Sequence, residues 1–325
     1  MKRRVIKQGN NTLTLTLPRS WTTKFDIAAG DDLTVIQQDK GLIINSDKIS
    51  LDKKIEIDIS NLPVPLILRY IVSAYRSGFD EIKIIFGDDK LEKIPQMSQS
   101  FTWDYMFRNE TRLNKIDVVQ IIVNRLIGMA VVDQGEKYCV IKELSDTSYR
   151  EFDAAMRRMF LLLLSMAEEC NTAINKKSYE LLNNVHNIDY NFNRFNDFAL
   201  RVLNKKGYEK FKKTPIVFSY IFLLELIADE YKKLALHLKE FKKVGKEINK
   251  AFNIQYNQLR SVYEIFYKFE KNRSVKIFME DIKGDKINRE IFLKLNNQDQ
   301  EMLHHLKKIG IYVMSLLELS IDLNI

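Results

Sequence analysis

The sequence predicts an α+β protein of several domains, from three periodicities that follow one another along its 325 residues. Residues 12–17 alternate apolar with polar, residues from 51 onward alternate strand with helix, and after Ser148 the apolar residues recur in steps of three and four. Glycine and proline are scarce, at 11 and 5, which starves a sandwich or a glycine phosphate loop and favours helices. A chain of this length exceeds one ordinary core. The breaks in pattern divide it into 1–47, 51–145 and 148–325.

The first segment reads as β. Thr12-Leu13-Thr14-Leu15-Thr16-Leu17 puts leucines on one face and threonines on the other, and Gly9-Asn10-Asn11 before it suits a hairpin turn. Pro18 ends the strand, Trp21 to Phe25 makes a helical turn, and two short strands follow, Asp32 to Gln37 and Leu42 to Asn45, around Asp39-Lys40-Gly41. Four such strands cannot bury a core alone and call for a partner, most simply a second copy.

The middle segment predicts a small α+β module with its helices on one face of a sheet. Ile55, Ile57 and Ile59 mark a strand, Leu66 to Ser77 a helix stopped by Gly78, and Ile82, Ile84 and Phe86 a strand. Ile116 to Leu126 forms a helix, and Met129 to Val132 with Tyr138 to Ile141 a hairpin; residues 87–112 carry no period. The last segment predicts an antiparallel bundle of long helices. Its stripes run through Phe152 to Met166, Leu181 to Val202, Leu224 to Phe241, Val262 to Phe269 and Leu306 to Leu323. Two helices end in basic turns before glycine, at Asn204-Lys205-Lys206-Gly207 and Lys242-Lys243-Val244-Gly245.

Lys and Arg number 51 against 43 Asp and Glu, a net charge of +8. Six of those charges, Lys2, Arg3, Arg4, Lys7, Arg19 and Lys24, lie in the first 24 residues, which hold no acid. Such a segment offers salt-dependent contacts to an anionic polymer; it equally guards an edge strand against mispairing. The series Arg4-Val5-Ile6-Lys7-Gln8-Gly9, Thr14-Leu15-Thr16-Leu17-Pro18-Arg19-Ser20-Trp21 and Ile27-Ala28-Ala29-Gly30-Asp31-Asp32-Leu33-Thr34-Val35 resembles the AbrB/SpoVT family of swapped-hairpin DNA-binding domains. The resemblance implies an interdigitated homodimer that grips DNA, with Arg3, Arg4, Lys7, Arg19 and Lys24 as contacts. Asn10-Asn11 stand where that family usually carries Ser or Thr after the glycine, so the target sequence stays open.

Glu225 and Asp229 stand four apart on one helix face, where a hard cation would relieve their repulsion. Lys232 and Lys233 are near enough along the helix to pair with Asp229 instead. Leu224-Glu225-Leu226-Ile227-Ala228-Asp229 resembles the Leu-Glu-Arg-Ile-Gly-Asp signature of the PhoU family, and Ile188-Asp189 with Phe192 and Phe195 resembles the helix that precedes it. The resemblance implies a bundle of two three-helix repeats, phosphate-uptake regulation, and a divalent or iron-type metal at Glu225, Asp229 and Asp189. Val185 leaves that first site one acid short, and Lys307 and Ile311 replace the acids of the second copy. An AbrB-like start, an α+β middle and a PhoU-like bundle together resemble archaeal phosphate-uptake regulators.

Cys139 and Cys170 are too few and too far apart for a disulfide framework or a cysteine zinc site. No leader-type apolar core follows the basic start, and the longest apolar runs fall far short of a bilayer span. The expectation is a cytoplasmic protein. His304 and His305 diverge by about 100° on a helix, His186 and His237 are isolated, and all four take structural or surface roles. No phosphate loop, nucleophile elbow or His-Glu-x-x-His motif occurs, so the chain is expected not to be an enzyme. It is expected to be a DNA-binding regulator of phosphate uptake, dimeric through its N-terminal domain. The alternative is a protein-interaction regulator of a phosphate transporter or sensor kinase, in which the β domain serves dimerisation alone.

Overall fold

A computed structural model describes residues 1–38, 41–46, 53–87, 114–145, 149–241 and 244–325. The aperiodic stretch 88–113, part of the Asp39-Lys40-Gly41 turn, and Lys242-Lys243 lie outside the described residues. The chain divides into two compact units, Met1–Asp52 and Lys53–Ile325.

In the first unit β1 (Ile6–Gln8) pairs antiparallel with β2 (Thr12–Thr14), with Ile6 opposite Thr14. The turn needs a positive φ at Gly9, +71°, which glycine supplies without steric cost. β2 stops at Thr14, short of the Leu17 that alternation predicts, because β1 offers only three residues to pair with. Pro18 leads into α1 (Arg19–Lys24). β3 (Thr34–Gln38) and β4 (Gly41–Asn45) form a second, separate two-stranded sheet. No side chain described between Met1 and Ser46 is buried, and Leu13, Leu15, Val35 and Leu42 all stand exposed.

The second unit begins with a four-stranded sheet in the order β5-β6-β8-β7. β5 (Lys54–Asp58) and β6 (Glu81–Ile85) are parallel, which requires a crossover, and α2 (Val64–Arg76) provides it. α3 (Lys115–Val123) follows, opened by a capping box between Asn114 and Asp117. β7 (Met129–Gln134) and β8 (Tyr138–Glu143) close the sheet as an antiparallel hairpin. Ile82, Ile84, Cys139 and Ile141 share one core with Ile67, Ile71 and Tyr75 of α2 and Val118, Val119 and Ile122 of α3.

Among the described residues six helices follow: α4 (Tyr149–Lys176), α5 (Asn183–Lys206), α6 (Thr214–Phe241), α7 (Lys246–Tyr267), α8 (Lys271–Phe292) and α9 (Asn297–Asp322). α6 packs against α4, α5 and α9, and its stripe of Leu224, Ile227, Tyr231, Leu234 and Leu238 is buried. Two boundaries depart from the apolar pattern. α7 ends at Tyr267 because Lys268 turns extended, so Phe269 lies beyond it. Leu181 sits in a short 3-10 turn, Tyr179–Leu182, rather than in α5. α8 escapes the sequence pattern because Val275, Phe278, Met279 and Ile282 face outward, while Ile277 and Ile291 are its buried apolar side chains. Among the described residues no helix is long and apolar enough to cross a membrane.

α5 joins module to bundle. Its apolar face enters the bundle core through Val185, Phe192 and Val202, while Asp197, Arg201 and Lys205, spaced four apart, form a charged stripe on the module. Asp197, fully buried, accepts from Arg76 Nη2 and Arg125 Nη2, each at 2.6 Å. Arg201 Nη1 donates to the carbonyls of Tyr75 (2.8 Å) and Phe79 (2.9 Å), and Asn204 donates to that of Arg76. The Tyr75 carbonyl also accepts from the Gly78 amide at 3.0 Å, Arg76 is the last residue of α2 and Phe79 follows it, and Arg201 adds positive charge where the helix dipole is negative. Arg201 also stacks on the Tyr75 ring and pairs with Glu143 at 3.0 Å. Lys205 bridges Asp80 and Glu143 at 2.5 and 2.6 Å. Gly78 (φ +80°) lets the turn after α2 close onto this stripe: a Cβ there would stand 2.6 Å from Lys205 Cγ.

Two outcomes follow from burying these charges. Arg201→Met leaves Glu143 and the end of α2 without their guanidinium, and urea unfolding should show a loss of about 3–5 kcal/mol; a loss under about 1 kcal/mol contradicts the role assigned to Arg201. Burial resists ionisation of Asp80, but its bonds to Lys205 and to the Lys53 amide outweigh it and hold the carboxyl below its ordinary value. A depressed carboxyl stabilises the fold above its unfolded value and loses that contribution as pH falls through the folded one. Asp80→Asn should therefore cost stability at pH 7, with the gap to the parent closing below about pH 4.

Candidate functional site

The five cations expected to contact DNA, Arg3, Arg4, Lys7, Arg19 and Lys24, are all exposed. Lys7 lies in β1 at the foot of the Gly9 turn, while Arg19 and Lys24 open and close α1. Lys24 Nζ sits 5.5 Å from the centre of the Phe25 ring, and Phe25 in turn packs on Trp21. Among the described residues none of the five pairs with a carboxylate.

The three acids expected to hold a metal lie where α5 meets α6, but the chain's own cations occupy them. Lys232 Nζ stands 2.7 Å from Asp229 Oδ1 and 3.2 Å from Asp189 Oδ2, so an ammonium lies between the two carboxylates. Burial works against the charge on Lys232, yet Asp189 and Asp229 together hold its pKa above the ordinary lysine value. Burial pushes the Asp189 carboxyl up, opposed by Lys232. Glu225 faces the other way: it accepts from Asn196 at 2.8 Å and lies 3.5 Å from Arg76 Nη2. Burial raises it too, against the pull of Arg76. Val185, where the resemblance wants a further acid, is fully buried in the bundle core. This arrangement does not fit a resident metal ion, because its positive charge is already supplied by Lys232 and Arg76.

The second copy of the acidic signature also lacks its acids. Lys307 Nζ lies 5.2 Å from the centre of the Phe292 ring, and Ile311 is exposed. Both border an open cleft of about 370 Å³ that Asp281, Asp285, Asn288 and Glu318 also line.

Two groupings escape the sequence reading. Arg76, Arg125, Asp197 and Arg201 are brought together from α2, the end of α3 and α5, and an Asp-Arg pair four apart on a helix looks like a solvated pair until its partners are known. One of the histidines needs correction. His237 of α6 is not isolated: His305 Nε2 of α9 lies 3.2 Å from His237 Nδ1, and His305 is buried. Their separation along the chain hides this, since only the packing of α6 on α9 joins them. Cys139 and Cys170 are buried free thiols, and burial pushes Cys139 up to about 12, which makes it unreactive.

The fold is thus an α+β module fused to a six-helix bundle with an N-terminal hairpin unit before it. No protein-family profile and no curated protein sequence matches the chain. Among solved structures the chain is similar to the phosphate transport system regulatory protein PhoU from Streptococcus pneumoniae. The two share 16% identity with a TM-score of 0.46, over 54% of this chain and 94% of that one.

Lys232→Ala tests the internal cation. Removing the ammonium from beside buried Asp189 should cost about 3–5 kcal/mol. Added Mn²⁺ should then raise the melting temperature of the variant while leaving that of the parent unchanged. An equal rise in both proteins would show that the acids take metal with Lys232 in place.

Proposed function

We propose that this chain is a non-catalytic regulator of phosphate uptake that pairs with a second copy through its N-terminal hairpins and lays their cations on DNA. The observation that carries the proposal is the first unit itself: none of its described side chains is buried, and its apolar residues Leu13, Leu15, Val35 and Leu42 lie open. Hairpins of this size need a partner sheet to become stable. A second copy would cover the leucines and double the set of Arg3, Arg4, Lys7, Arg19 and Lys24. The AbrB/SpoVT-like order of residues supports the DNA reading, and the PhoU-like Leu224–Asp229 segment supports phosphate as the regulated theme.

A second reading rests on α8. Val275, Phe278, Met279 and Ile282 recur at i, i+3, i+4 and i+7 on its exposed face, the pattern a helix offers to a protein partner. In that reading the bundle docks on a phosphate transporter or sensor kinase, and the hairpins serve dimerisation alone.

Sedimentation of the full chain should give a dimer, and Leu13→Asp with Leu15→Asp should give a monomer. DNA affinity should fall steeply with salt, and Arg3→Ala with Arg4→Ala should lower the slope of log K against log salt by about two. DNA affinity that ignores both salt and the double substitution would leave the second reading. Phe278→Asp should then abolish recovery of transporter components from solubilised membranes.

A further inference from the structure

We propose that His237, Glu301 and His305 form a zinc-type metal site that ties α6 to α9, away from the acids of the α5–α6 seam. Among the described residues these three each offer one ligand atom, and the atoms lie within 4.8 Å of one another. Glu301 and His305 are four apart on α9 and so share a face; His237 reaches them from α6. The two helices run antiparallel here, since Tyr220 meets Ser320 and His237 meets His305.

The geometry suits a tetrahedral ion. With Zn–N bonds of about 2.0–2.1 Å, two imidazole nitrogens on one zinc stand about 3.3 Å apart. His305 Nε2 and His237 Nδ1 are separated by 3.2 Å. Two histidines and one glutamate form a donor set that zinc uses with its fourth position open. Glu301 is exposed, so that position faces water and the ion has a path in.

The surroundings orient the ligands. Glu230 Oε2 lies 2.6 Å from His305 Nδ1 and fixes the proton on that nitrogen, leaving Nε2 with its lone pair toward His237. Glu230 Oε1 in turn accepts from Lys233 Nζ at 3.0 Å. Lys308 adds a further cation at 3.6 Å from Glu230. Asp229 and Glu230 are neighbours in sequence, so they point about 100° apart: one meets Lys232 at the α5 seam, the other meets His305.

The site stands independently of the regulatory proposal, and its test uses metal alone. Full-length protein stripped with chelator should bind one Zn²⁺ per chain, and Co²⁺ should give the visible absorption of a tetrahedral nitrogen–oxygen site. Glu301→Gln, at an exposed position that should not disturb folding, and His237→Ala should each weaken binding by about 100-fold and remove the cobalt bands. Glu230→Gln, a positioning change, should weaken it by about 10–100-fold while keeping the bands. Asp229→Ala should leave both unchanged. Absence of stoichiometric zinc in the parent overturns the site, and so does equal affinity in parent, Glu301→Gln and His237→Ala.

Discussion

The second unit depends on one helix with two incompatible faces. α5 gives its apolar side to the bundle and its Asp197-Arg201-Lys205 stripe to the α+β module. A charged stripe can be buried only where every charge meets a partner. The module supplies them: Arg76 and Arg125 for Asp197, and Asp80 with Glu143 for Arg201 and Lys205. Apolar faces tolerate sliding, whereas these pairs fit one register. Because Arg201 also binds the carbonyls of Tyr75 in α2 and of Phe79 just after it, the crossover helix of the sheet ends on the bundle. A displacement of α5 would break ion pairs and helix-end bonds together.

The same logic of internal charge explains why the α5–α6 seam holds acids without asking for a metal. A carboxylate pair in a helical core needs a counter-charge, and an ion is only one way to supply it. Lys232, three residues from Asp229, reaches both Asp229 and Asp189, and Arg76 does the same service for Glu225 from the module. A lysine on the protein cannot dissociate, so this seam carries fixed charge.

Much of the fold was legible because periodicity is local. Thr12 to Leu17, Ile55 to Ile59 and Leu224 to Leu238 reveal strand, strand and helix without reference to anything distant, and Gly78 and Gly207 stop their helices with positive φ. The errors share one cause. β2 is shorter than its alternation because pairing needs a partner strand, and α8 was missed because its apolar residues do not face the core. The site was legible only in its residue types. Nothing in the spacing joins Arg76 or Arg125 to Asp197, or His237 to His305, because side chains 68 to 121 positions apart meet only through the packing of their helices.

The two units therefore differ in where their missing information lies. In the second, every buried charge described above finds its partner within the chain. In the first, open leucines and unpaired cations face outward, and neither feature is satisfied by anything among the described residues around it. Exposed apolar residues on strands this short cannot stabilise them, and six cations in the first 24 residues without an acid repel one another. Covering the leucines removes the first defect but brings two cationic segments together and sharpens the second. In the proposed dimer an anion bound across both copies would relieve it, so self-association and polyanion binding would reinforce each other: such a dimer would be weakest in low salt without a polyanion, where the doubled charge is least screened.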